Sequence, residues 1–110
     1  MSYFVKKDEV SEIKREGVSG FRLLNDTNGC VNGCCAGISI YTTLKYPEAN
    51  VHEDQEGFIV MDGAGWAKVG TEEFRIEVDT AFIVPAGVQH TIKRDPDSKS
   101  VKVFWFHAAI

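Results

Sequence analysis

The chain has 110 residues and a formal charge of −4, with a mass of 12.2 kDa and an isoelectric point near 5.3. That length suits one domain, residues 1–110, with its own core and no room for a separate cofactor-binding module. No basic stripe is present to hold a phosphate backbone or an anionic bilayer, the first residues carry charges where a signal peptide needs an apolar stretch, and no run reaches membrane-spanning length. Nucleic acid and membrane are therefore not expected as partners, and the expected location is cytoplasmic.

In chain order, residues 1–20 form an N-terminal segment whose charged stretch 7–16 has the composition for a helical turn or two on the surface. Beyond it the pattern is that of short strands broken by turn residues, at 21–24 and then along the β-branched and aromatic run 36–44, which Pro47 ends. Between these two runs lie Cys30, Cys34 and Cys35, with neither the paired spacing of a zinc site nor the even count of a disulfide framework, so reduced thiols are expected. If Asn32-Gly33 forms a type I′ turn, Val31 faces Cys34 and Cys30 faces Cys35 across a hairpin, as a pair able to oxidise.

Further strands are predicted at 58–61, 66–69, 72–76, 81–84, 91–94 and 101–107. Gly70-Thr71 suits a type II′ turn between the strands 66–69 and 72–76, and Asp95-Pro96-Asp97-Ser98 forms the last turn. Eight or so short strands must close into a barrel or face one another as two sheets to bury their apolar sides. The fold class is all-β, a jelly-roll barrel. The final run Val101-Lys102-Val103-Phe104-Trp105-Phe106-His107 is apolar on both faces, which puts one face in the barrel and a second subunit over the other.

Two segments carry chemistry. Asn50-Val51-His52-Glu53-Asp54-Gln55-Glu56 leads to Gly63, and Pro85-Ala86-Gly87-Val88-Gln89-His90 answers it downstream. Side chains at alternate strand positions share a face, so the loop between His52 and Glu56 brings two sets together. His52, Glu56 and His90 then offer two imidazoles and a carboxylate to one divalent ion while leaving positions open opposite, the arrangement of non-haem iron oxygenases. Iron, manganese, nickel and zinc all accept such donors. Asn50 either adds its amide oxygen to the set or hydrogen-bonds beside it.

These segments resemble the paired motifs of the cupin superfamily. The first family motif runs Gly, five residues, His, one residue, His, three or four residues, Glu, six residues, Gly; the second runs Gly, five residues, Pro, one residue, Gly, two residues, His, three residues, Asn. His52, Glu56, Gly63, Pro85, Gly87 and His90 match. Leu44, Asn50, Asp79 and Arg94 stand at the positions that differ. The resemblance covers roughly 36–107 and implies a small single-domain cupin with a metal inside the barrel, three of the family's four ligands, and a homodimer.

Around that metal, Tyr41, Phe58, Trp66, Phe82 and Trp105 are candidates to line an apolar pocket, and Arg94, sharing parity with His90, to grip a substrate carboxylate. The acids Glu53 and Asp54 are expected to draw a cation and to disfavour strongly anionic substrates near the mouth. His107 is expected to be a packed or surface imidazole. No Ser/His/Asp or Cys/His relay is visible, so the expected function is a metal-dependent enzyme on a small organic molecule, an oxygenase or isomerase-like. The alternative is a non-catalytic sugar- or metabolite-binding module with a degenerate metal site.

Overall fold

The computed structural model describes residues 2–110. Nine strands follow one another: β1 (Ile13–Arg15), β2 (Val18–Leu24), β3 (Cys35–Tyr41), β4 (Glu56–Gly63), β5 (Gly65–Val69), β6 (Glu72–Ile76), β7 (Ala81–Val84), β8 (His90–Arg94) and β9 (Val101–His107). They form two antiparallel sheets, one ordered β1-β2-β3-β9-β4-β7 and the other β6-β5-β8. This is the all-β jelly roll that the turn-punctuated pattern predicts. No helix among the described residues is long and apolar enough to cross a membrane.

The core lies between the sheets. Ala67, Ile76 and Ile92 come from the smaller sheet, and Phe58, Val60, Val101 and Val103 meet them from the larger, all buried. Period-two alternation explains the split along β9, where Val101 and Val103 are wholly buried while Phe106, of opposite parity, is exposed. Two central residues connect β5 and β6, with Gly70 at φ +60 and Thr71 outside the positive-φ region, the type II′ pattern expected of that step.

Three local expectations need correction. The charged stretch 7–16 supplies only one 3-10 turn, Lys7–Glu9, and then pairs Ile13–Arg15 with β2 as an edge strand, because a ladder partner outweighs weak helical propensity. The run 36–44 stops being strand at Tyr41. Asn32 and Gly33 do take left-handed φ values of 55° and 83°, with Cys34 N–H donating to the Val31 carbonyl at 3.1 Å. No hairpin extends from that turn, however, since Cys35 pairs with His107 in the β3–β9 ladder. Cys30 instead lies against Cys34, whose hydrogen bond pushes the Cys30 thiol above its ordinary pKa. All three thiols are free.

Candidate metal centre

The site occupies one end of the barrel, where several strands start or finish. Glu56 is the first residue of β4, His90 the first of β8 and His107 the last of β9. An isolated antiparallel bridge brings the two motif segments together. Asn50 and His90 exchange both backbone hydrogen bonds at 2.9 Å, and Gly87 N–H donates to the His52 carbonyl at 2.8 Å. The left-handed conformation of Gly87, φ +77, turns the second segment towards this contact.

His52, Glu56 and His90 converge as a result, with one donor atom from each lying within 4.8 Å of the others. Glu56 Oε1 is 3.0 Å from His90 Nε2 and 3.3 Å from His52 Nε2. Those separations suit a hydrogen bond but the directions do not, because Oε1 is buried without any hydrogen-bond partner, as is His90 Nδ1. An orphaned buried carboxylate oxygen costs several kcal/mol unless a cation compensates it. Donors that share one ion at about 2.0–2.2 Å stand roughly 3 Å apart. The trio therefore fits a divalent metal. Burial, the largest influence, pushes the His52 imidazole below its ordinary pKa against the opposing pull of Glu56, which favours the neutral form that ligates.

Beside the trio opens a cavity of about 220 Å³. Its walls include Tyr41, Asn50 and Trp105, with room left by Gly20 and Ser39, which pair across β2 and β3. Burial, followed by the Glu56 charge, pushes the Tyr41 phenol well up, so it is a proton donor at neutral pH. Asn50 Oδ1 accepts a 3.4 Å hydrogen bond from the Arg15 guanidinium.

Four residues expected in the pocket lie elsewhere. Phe58 and Phe82 stack at 4.7 Å and 13° within the core, with Phe58 packing behind His90 at 5.7 Å. Trp66 pairs in register with Arg75 and Lys93 and meets the Arg75 guanidinium at 6.0 Å, on the outer face of the smaller sheet. Arg94 donates to the carbonyls of Thr42 at 2.8 Å and Ser98 at 3.0 Å, pinning the last turn rather than reaching the cavity. Its parity is right, but those carbonyls capture the guanidinium first.

The cavity is also lined by Arg15 and Arg22, which the sequence did not single out, and by His107, expected there only as a packed or surface imidazole. Asp54, expected to repel anions, is largely buried and bound to His107 Nδ1 at 2.9 and 3.0 Å. The cavity wall thus presents two guanidinium groups. Parity along β2 aligns Arg22 with Gly20 and Val18, a signal usable only once the inward face of that strand is known.

A cupin-domain family model matches residues 43–107, more than half of the chain. The chain is a cupin. No curated protein matches it in sequence. Solved structures that share its fold include hydroxypropylphosphonic acid epoxidase from S. wedmorenis, 16% identical over 96% of this cupin and 58% of that chain, with a TM-score of 0.80. Salicylate 1,2-dioxygenase from Pseudoaminobacter salicylatoxidans is 19% identical over 84% of this cupin and 26% of its own chain, at 0.71. A polyketide cyclase from Streptomyces resistomycificus is 12% identical over 97% and 79%, at 0.80. This cupin thus spans under three fifths of the epoxidase chain, and at such identities the likeness is one of fold.

Proposed function

We propose that this cupin holds one divalent metal ion on His52, Glu56 and His90 and acts on a small organic acid in the adjoining cavity, as an oxygenase or isomerase-like enzyme. The observation that carries the reading is the buried Glu56 Oε1, close to two imidazole nitrogens yet hydrogen-bonded to neither. An ion bound there supplies Lewis-acid polarisation of the ligand or activation of dioxygen. Iron, manganese, nickel and zinc suit these donors.

The surrounding side chains define the rest. Arg15 and Arg22 attract and grip an acidic group, and Asn50 fixes the Arg15 guanidinium and contacts the ligand. Tyr41 donates its O–H to a ligand oxygen, while Trp105 supplies an apolar wall. The cavity is smaller than the 300–1,000 Å³ or so of drug-sized sites, so a compact molecule is the ligand class. The names of the epoxidase and the dioxygenase likewise refer to a phosphonic acid and to salicylate.

A binding or sensing role is the second reading, favoured by Asn50 standing where the family motif has an imidazole. Metal analysis of purified protein tests the first: about one ion per chain is expected, lost with His52→Ala or His90→Ala together with turnover. No uptake of iron, manganese, nickel or zinc on reconstitution sinks it. Metal loss with ligand affinity intact transfers the case to the binding role. As partner we propose a second copy of the chain, packed on the exposed outer face of β4, β7 and β9.

A further inference from the structure

We infer that His107, aimed by Asp54, is a fourth donor to this metal site, so that β9 provides the imidazole that Asn50 does not. The inference rests on the metal reading above and extends it to a residue outside both motif segments.

Register places His107 there. It pairs directly with Glu56 across the β4–β9 ladder, so the two side chains emerge side by side on the inward face. Its side chain and that of Asp54 are largely buried, at 14% and 16% exposure. Asp54 engages His107 through both carboxylate oxygens, 2.9 and 3.0 Å from Nδ1. A carboxylate on Nδ1 keeps the proton on that nitrogen and leaves the Nε2 lone pair for a metal, the support that ligating histidines receive.

Nε2 approaches the Glu56 carboxylate. It lies 3.3 Å from Glu56 Oε2, the same separation as His52 Nε2 has from Oε1. The His107 and His52 rings are 4.8 Å apart, closer than the 5.2 Å between His52 and His90. Trp105 packs edge-on against His107 at 5.5 Å and 88°, holding the ring in its orientation. Three imidazoles therefore surround one carboxylate. His107 stands outside the tight trio, on the side of the second Glu56 oxygen. A residue serving only as a brace between Asp54 and Glu56 needs no metal to be useful, and that difference makes the inference testable.

The full chain loaded with cobalt(II) is compared with His107→Ala, His107→Gln and Asp54→Asn. Chelator competition gives affinity, and visible absorption reports the donors. His107→Ala is expected to weaken cobalt binding by more than the roughly 10–100-fold that loss of a ligand's supporting residue costs and to change the spectrum, with added imidazole restoring it. Asp54→Asn is expected to weaken binding less while keeping the wild-type spectrum. His107→Gln keeps the side chain polar and similar in reach if the alanine variant does not fold, and the same affinity loss is expected from it. Wild-type affinity and an unchanged spectrum in the histidine variants overturn the inference while leaving the trio intact. A wild-type chain that takes up no metal overturns the metal reading, and the fourth donor with it.

Discussion

Gly37 and Trp105 face each other across the β3–β9 ladder, and the indole occupies the space beside the Gly37 Cα. A Cβ built on Gly37 would fall 2.5 Å from Trp105 Cζ2 and closer still to the Phe21 carbonyl oxygen. The missing side chain is what lets Trp105 lie flat as a cavity wall and pack against His107. Gly37→Ala is expected to destabilise the protein by about 1–3 kcal/mol through overpacking. Each kcal/mol lowers Tm by roughly 4–8 °C in a domain near this size. Thermal denaturation checks it, and an unchanged Tm refutes the close approach.

Gly20 has the opposite surroundings. An added Cβ meets only the Ile13 carbonyl oxygen, at 3.5 Å, and otherwise enters the cavity. Gly20→Val is therefore expected to leave Tm within a few degrees and metal content unchanged, since valine suits a strand. Ligand affinity or turnover should fall at least about tenfold, the effect of 1.4 kcal/mol of steric conflict. Undiminished ligand binding removes the cavity from the functional site.

The residues legible in sequence are those whose role is local. Gly63 and Gly87 sit at φ +80 and +77, and a Cβ on Gly63 would collide with the Ser100 carbonyl, so glycine at those motif positions has a conformational cause. Asp79 keeps the same kind of turn without being glycine, at φ +71, which aspartate tolerates better than most residues. His52, Glu56 and His90 could be picked out because each stands at a fixed distance from such a turn. His107 could not, because its place depends on the β4–β9 register, set by pairing across about fifty residues of chain. Arg94 shows the limit of parity, which gives a direction but not the nearest acceptor, and the Thr42 and Ser98 carbonyls are nearer. The edge strand β1 stayed hidden because Ile13-Lys14-Arg15 is exposed on all its residues and offers no alternation to read.

Metal removal should show in stability as well as in activity. An ion that binds only the folded state adds about 2.7 kcal/mol when its free concentration is a hundred times Kd. Chelation is expected to lower Tm by about 10 °C or more on that basis, with far-ultraviolet circular dichroism at 25 °C unchanged because the core between the sheets does not include the trio's donors. Equal melting with and without chelator, for protein shown to contain metal, contradicts tight binding at this site.

The outer face of the larger sheet gives the last prediction. Ile59 and Met61 on β4, Ile83 on β7 and Phe106 on β9 all point away from the core, and Ile83 and Phe106 remain 52% and 43% exposed. Ladder pairs place them close together, with Gly57 opposite both Ile83 and Phe106 and the Phe106 ring lying over that glycine. Neighbouring apolar side chains of this kind lose water contact if a second copy packs on them, and β7, at the sheet edge, leaves room for the approach. Light scattering of the wild-type chain is expected to give twice the 12.2 kDa monomer mass. Ile83→Lys, which places a charge in the middle of that face, should shift the protein to monomer without loss of metal, since Ile83 faces away from the site. A monomeric wild type, or a dimer indifferent to the lysine, rules this face out as the contact.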